Sequence, residues 1–261
     1  MSSSRTVSAM KPVCNVCGAD VDTVLISKDG YEILQCRDCR LAFTYPQPES
    51  LASQYDNSYF DLYRRRREFR LRRSRDRLKR IELIRHPGRL LDIGCSLGYF
   101  VESANKRGWS ASGVEISPFA AEEARQMGLD VHTGILEQCD FSDSSFDCVT
   151  MWDVLEHVTD PVTHMAEVRR ILKPGGLVAI GTPDIGHPLF RLKKQEWRHL
   201  KPAEHIFYFQ RSSIRLLLQK TGFTEVTPTA GQSVLGHVSA GIRRVTQFND
   251  VMIVYGAKNG V

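Results

Sequence analysis

From Arg89 onward, short apolar runs alternate with stretches whose apolar residues recur every three or four positions. Arg89–Ile93 reads as a buried strand, followed by a glycine-containing turn and a helix to about Lys106. Ser110–Glu115 reads as a second strand. Ser117 and Pro118 then supply an N-cap and a first helical residue for a helix reaching Met127. Leu129–Thr133 and Phe146–Met151 are the third and fourth strands, and Asp160-Pro161 opens a helix that ends at Leu172-Lys-Pro-Gly-Gly176. Leu177–Gly181 is a fifth strand, Gln210–Thr221 a helix, Phe223–Pro228 a sixth strand and Val251–Gly256 a seventh. Strands that alternate with helices predict an α/β architecture: a doubly wound, seven-stranded, mostly parallel sheet over residues 89–261.

The pattern before Arg89 is different. Residues 1–10 are Ser-rich and aperiodic, and are expected to be a disordered tail. Cys14-x-x-Cys17 and Cys36-x-x-Cys39 follow, spaced as in a zinc ribbon over residues 11–45. Lys28-Asp29-Gly30 reads as a hairpin turn, Tyr31–Gln35 as a strand, and Tyr45-Pro46-Gln47-Pro48 as the end of the unit. Four thiolates would bind a structural Zn2+ and leave no open position for catalysis; two disulfides are the alternative. Residues 46–88 form a basic connector, helical from about Leu51 to Arg85 and closed by His86-Pro87-Gly88.

Length and composition add limits. The 261 residues, 42% hydrophobic and 25% charged, suffice for one sizeable core with a small appendage. No apolar run is long enough to span a membrane, and the start lacks the apolar stretch of a signal peptide. Cys95, Cys139 and Cys148 are scattered, which points to a reducing cytoplasm. The net charge of +5 is concentrated in residues 64–80, RRRREFRLRRSRDRLKR. Such a run contacts phosphate groups of a nucleic acid, a nucleotide-linked substrate or a membrane surface, or it is a solvated helix face. Phe69, Leu71, Leu78, Ile81, Leu83 and Ile84 give it a face that can pack.

The chemistry centres on Leu91-Asp92-Ile-Gly94-Cys95-Ser96-Leu-Gly98-Tyr-Phe100, where an acidic residue ends the first strand and glycines shape the turn. Glu115 ends the second strand, at the edge where doubly wound sheets bind ligands. The dinucleotide fingerprint Gly-x-Gly-x-x-Gly fails at Ser96 and at Tyr99. The loop instead resembles motif I of the class I S-adenosylmethionine-dependent methyltransferases, with Ser96 where that family usually has glycine. Phe146–Met151, Leu155–Val158 with Asp160-Pro161, and Leu172–Gly176 extend the resemblance over most of residues 89–230. It implies a Rossmann-like fold that uses S-adenosylmethionine. By the same resemblance Asp92, Gly94 and Gly98 hold the methionyl end, Cys95 counts among the cofactor-binding residues, Glu115 binds the ribose, and Ile116, Ile135 and Leu136 frame the adenine. Met151 and Trp152 border the methyl group. A plain core role stays open for Ile116, Leu136 and Trp152.

Two histidine-bearing segments compete on the acceptor side. Asp153-x-x-Glu156-His157 resembles the segment of quinone-biosynthesis O-methyltransferases that holds a divalent ion, which implies Mg2+ at Asp153, Glu156 and His157; packing or capping is the alternative. Trp197–Phe209 is dense in histidine and aromatic groups; there His205 is the favoured general base and Tyr208 could polarise a substrate oxygen. With the zinc ribbon, the Glu204-His205-x-x-Tyr208-Phe209 segment resembles zinc-binding sugar methyltransferases, some of which methylate carbon on nucleotide-linked ketosugars. Those have a further C-terminal domain, so of O- and C-methylation the latter is less favoured here, and a hydroxyl acceptor or another small molecule is the expectation. The first reading is therefore methyl transfer to a small molecule, a sugar or a natural-product or cell-envelope precursor. An RNA methyltransferase using the ribbon and the arginine-rich connector is the second, although the Asn/Asp-Pro-Pro-aromatic motif of amino-directed enzymes is missing. A non-catalytic binding module is the third.

Overall fold

A computed structural model describes residues 12–48, 57–228 and 250–260; the expected tail at residues 1–10 lies outside them. Three short strands come first: β1 (Val24–Lys28), β2 (Tyr31–Gln35) and β3 (Ala42–Tyr45). The expected turn joins β1 to β2, with Asp29 and Gly30 both at positive φ, as a two-residue hairpin demands. The connector forms two helices, α1 (Asn57–Arg65) and α2 (Arg67–Glu82), separated at Arg66, whose φ of −103° and ψ of 19° break the helix.

The expected alternation follows: β4 (Arg89–Ile93), α3 (Tyr99–Asn105), β5 (Ser110–Glu115), α4 (Pro118–Gln126), β6 (Asp130–Thr133), β7 (Phe146–Trp152), α5 (Pro161–Ile171) and β8 (Leu172–Pro183). Then come α6 (Pro188–Lys193), β9 (Phe207–Tyr208), α7 (Arg211–Lys220), β10 (Phe223–Val226) and β11 (Val251–Lys258). Both anticipated caps form. Ser117 Oγ accepts from Ala120 N at 3.4 Å, and Asp160 Oδ1 accepts from Val162 N at 2.9 Å. β8 starts five residues earlier than expected, because Leu172 pairs beside Phe146 and the Lys-Pro-Gly-Gly segment continues the strand.

Seven strands form one sheet in the order β10-β11-β8-β7-β4-β5-β6, parallel throughout except for β11, which runs antiparallel to both neighbours. Successive residues of a strand feed opposite layers. Leu91, Val149 and Val178 pack with α5 and α7 through Met165, Val168, Ile214 and Leu217. Leu90, Cys148 and Ala179 pack with α2, α3 and α4 through Leu78, Ile81, Ala104 and Ala121. Burial on both faces is what makes these strands read as continuous apolar runs. Chain order reverses on either side of β4, so the carboxyl ends of β4, β5 and β7 open a crevice.

The N-terminal strands form a second sheet, β1-β2-β3-β9, whose fourth strand comes from the segment between β8 and α7. Ala42 pairs with Tyr208 and Phe43 with Phe207. Thr44 Oγ1 donates to the His205 carbonyl at 2.7 Å, Thr44 N to Ile206 O at 2.9 Å, and Ser212 Oγ to Cys39 O at 3.1 Å. Leu34, Leu41 and Phe43 join the same core as Leu91 and Val149. Among the described residues no helix is long and apolar enough to cross a membrane.

Candidate active site

A cleft of about 1590 Å³ lies over the carboxyl edge of the parallel sheet. Its floor is the loop between β4 and α3. Gly94 has φ +67°, and a Cβ there would lie 2.5 Å from Val154 Cγ2. Ser96 takes φ +52°, a left-handed conformation that serine adopts at a cost, and its Oγ is buried without a hydrogen-bond partner. The Ser96 amide donates to Glu115 Oε2 and the Ser117 amide to Oε1, both at 2.8 Å. Glu115 thus sits at the tip of β5 with lone pairs left for a ligand's hydroxyls. Ile116 and Ile135 remain 41% and 40% exposed in the cleft wall, apolar surfaces of the kind a flat heterocycle covers.

Gly94, Glu115, Ile116, Ile135, Leu136 and Trp152 line the cleft. The other four residues assigned to the cofactor lie behind it. Asp92 is 2% exposed and accepts from Thr150 Oγ1 at 2.5 Å; burial pushes its carboxyl up to about 7. It braces β4 against β7. The Cys95 thiol points the other way, into the gap left by Gly113, where a Cβ would sit 2.5 Å from the sulfur. Met151 is fully buried in the sheet core. Gly98 lets the start of α3 approach Leu129 and Ala124, at 2.5 and 3.1 Å from where its Cβ would be.

Arg77, from the middle of α2, was not singled out by the sequence reading. It is 9% exposed and faces the cleft. Its guanidinium carbon stands 4.0 Å from the Trp152 ring centroid, and Nε and Nη2 have no hydrogen-bond partner. Burial, then the charge of Arg73, lowers its pKa to about 9. Trp152 in turn lies on Gly181, where a Cβ would come within 2.8 Å of the indole. The signal for Arg77 was present as helical spacing: Arg66, just before α2, and Arg70, Arg73, Arg77 and Arg80 within it recur every three or four residues and line the same cleft.

Across the cleft, Glu156, His157 and His205 gather so that one potential ligand atom of each lies within 4.8 Å of the others. The imidazoles of His157 and His205 meet edge to face, with centroids 4.8 Å apart. His157 Nδ1 lies 2.8 Å from the Glu204 carbonyl oxygen, which can only accept, so Nδ1 carries a proton. Burial lowers the His157 pKa, so the ring is neutral and Nε2 is left as a proton acceptor. Burial, reinforced by His157, holds the His205 pKa well below the ordinary histidine range, and its Nδ1 has no partner. Glu156 Oε2 accepts from Thr182 Oγ1 at 2.9 Å, while Oε1 is buried and unpartnered; burial, then Asp153, pushes this carboxyl up to about 8.

A family model described as a methyltransferase domain matches residues 63–227, well over half of the chain. The chain belongs to this methyltransferase family. A ubiquinone biosynthesis O-methyltransferase from Alkalilimnicola ehrlichii is 34% identical over 101 residues, 36% of this chain and 41% of that protein. One from Cereibacter sphaeroides is 37% identical over 100 residues, 36% of this chain and 40% of that protein. The chain thus spans about two-fifths of the length of these relatives. Among solved structures, an S-adenosylmethionine-dependent methyltransferase from Thermotoga maritima superposes with a TM-score of 0.57 at 25% identity, over 77% of this chain and 97% of that one.

Within this methyltransferase, two acceptor-side expectations change. Tyr208 is 1% exposed in β9 and packs among Ile33, Ala42, Trp197 and Leu200, outside the cleft lining. Its ring supports the ribbon sheet, and its hydroxyl reaches no acceptor site. Asp153, exposed at φ +59°, does not join Glu156 and His157; His205 takes the third place. Two imidazoles and one carboxyl that burial tends to protonate do not suit Mg2+, which takes oxygen ligands. The N-terminal cysteines do converge: Cys14 Sγ lies 3.5 Å from Cys39 Sγ, and Cys17 Sγ 3.4 Å from Cys36 Sγ. Matching turns carry the two pairs, with Gly18 N on Cys14 O at 2.9 Å and Arg40 N on Cys36 O at 3.1 Å.

Proposed function

We propose that this chain transfers the methyl group of S-adenosylmethionine to a hydroxyl of a small-molecule acceptor, of sugar, natural-product or cell-envelope-precursor type. The observation that carries this reading is a neutral His157, its Nδ1 proton held by the Glu204 carbonyl, presenting Nε2 to the same cleft that Glu115, Trp152 and Arg77 line. The residues fit the cofactor: Glu115 for the ribose hydroxyls, Ile116, Ile135 and Leu136 for the adenine, and the unpartnered Arg77 guanidinium for the methionyl carboxylate. S-adenosylmethionine, when bound, supplies an electrophilic methyl on sulfur and leaves as a neutral thioether. His157 takes the acceptor proton at Nε2 and passes it to water as the imidazolium relaxes to its low pKa. His205 is the less suitable base, since it is only 6% exposed and burial holds its pKa well below the ordinary histidine range. Supporting the hydroxyl acceptor, the curated relatives are named as O-methyltransferases.

We assign the four N-terminal cysteines to one structural Zn2+. A four-thiol cluster on two matching turns, buried except at the half-buried Cys17, is the donor set that ion prefers, and it lies away from the cleft.

Calorimetry with S-adenosylhomocysteine, paired with turnover assays on hydroxylated acceptors, tests the reading. His157→Ala is expected to bind the product cofactor as the parent does and to lose turnover. Failure of the parent chain to bind it would support the non-catalytic alternative, and full turnover in His157→Ala would remove the base assignment.

A further inference from the structure

Ten arginines lie between positions 64 and 80, and they sort by face. Two of the four that do not line the cleft find carboxylates, and the other two, Arg65 and Arg75, are exposed to water. Arg64 pairs with Asp61 and Glu123, and Arg67 with Glu102. Arg66, Arg70, Arg73 and Arg77 face the cleft, and no ion pair among the described residues includes any of them. The acidic residue of α2 on that side, Asp76, stands 3.9 Å from Lys79 instead. Arg70 lies flat on Tyr63, its guanidinium carbon 3.2 Å from the ring centroid, with Nε buried and unpartnered. Arg77 is nine-tenths buried and lacks partners at two nitrogens. A buried guanidinium without a counterion, as at Arg77, destabilises a fold by several kcal/mol, and the half-buried Arg70 and Arg73 and exposed Arg66 add like charge beside it. Along α1 and α2, then, carboxylates neutralise Arg64 and Arg67, while Arg66, Arg70, Arg73 and Arg77 are left for something that enters the cleft.

The cofactor neutralises only part of this charge. S-adenosylmethionine has a single carboxylate, balanced by its own ammonium and sulfonium, and Arg77 beside Trp152 suffices for it. Arg66, Arg70 and Arg73 remain, along about 10 Å of helix. We propose that this arginine stripe binds a phosphate or diphosphate group of the acceptor, so that the methylated molecule is a phosphorylated small molecule. This rests on the methyltransferase reading above. Planar guanidiniums at successive turns match the paired oxygens of phosphoryl groups. Phe69, 63% exposed in the same wall, offers a face to whatever adjoins them. A polynucleotide fits less well, because two of the arginines beside the cleft that it would meet, Arg64 and Arg67, are already paired.

Calorimetry on the full chain saturated with S-adenosylhomocysteine tests this, using inorganic pyrophosphate, UDP, geranyl diphosphate and a single-stranded RNA as probes. Pyrophosphate is expected to bind, and whichever organic diphosphate binds more tightly identifies a nucleotide-linked or a lipid-linked acceptor. Arg70→Ala/Arg73→Ala should weaken pyrophosphate binding at least about tenfold, the loss of one or two charge-assisted contacts. The same variant should keep its cofactor affinity and lose no thermal stability, and Arg75→Ala, on the exposed face, should change neither. No binding of pyrophosphate by a chain that still binds S-adenosylhomocysteine overturns the phosphate site alone. Pyrophosphate binding without cofactor binding overturns the methyltransferase reading alone. RNA binding tighter than either diphosphate overturns the small-molecule acceptor.

Discussion

Replacing Glu156 by Gln should change the pH dependence of stability in a calculable way. The Glu156 carboxyl is fully buried, its Oε1 has no partner, and burial raises it from an ordinary 4.5 to about 8. The folded chain therefore keeps this proton up to about pH 8, whereas the unfolded chain has released it by about pH 5. A raised carboxyl contributes stability that is lost as pH rises toward the folded value. With these two values the group contributes about 2 kcal/mol less to folding at pH 8 than at pH 6. Glutamine has nearly the same shape, can accept from Thr182 and does not titrate. Urea unfolding of both proteins at pH 6, 7 and 8 gives the comparison. Glu156→Gln should gain on the parent by about 2 kcal/mol over that range, with unchanged m-values. A difference that stays constant with pH, or shrinks as pH rises, would refute the assignment of a protonated buried carboxyl.

Gly94→Ala places a Cβ 2.5 Å from Val154 at φ +67°, so it should cost about 1–3 kcal/mol and weaken S-adenosylhomocysteine binding, read by thermal melts and calorimetry. Thr44→Val leaves the buried His205 carbonyl without its 2.7 Å donor; a loss of about 1–3 kcal/mol is expected in urea unfolding, with cofactor affinity retained. Cys36→Ser should bring zinc below one per chain by elemental analysis and lower Tm by at least about 5 °C, the scale expected for losing two or more kcal/mol in a chain of this size.

The layered sheet was legible because β4, β7 and β8 are buried on both faces and announce themselves as unbroken apolar runs, and because Ser117-Pro118 and Asp160-Pro161 mark helix starts chemically. The glycine loop and Glu115 were legible as a motif, but which motif residues face the ligand was not. Asp92 and Cys95 differ from Gly94 only in which way the backbone turns them, and that depends on Thr150 and Gly113, from other strands. The meeting of His157 and His205, 48 positions apart, and the capture of Phe207-Tyr208 by β3 are long-range pairings that no local pattern encodes. Tyr208 reads as catalytic because its segment is dense in histidine, aromatic and charged groups; strand alternation sends its ring into the ribbon core instead. Arg77 was hidden by abundance, since one functional guanidinium in a run of ten has no local distinction.

The pairing of β3 with β9 sets the order in which the molecule can be completed. The cysteine module leaves the ribosome before the large sheet, yet the outer edge of β3 finds its partner only after some 160 further residues have been made, at Phe207 and Tyr208. Until then Ala42 and Phe43 present an open strand edge to other nascent chains, the situation in which edge-to-edge association is most harmful. A module made before the large sheet is thus finished after most of it, and the time that edge stays open is set by the pace of translation, longer when translation is slow, rather than by the stability of the final fold.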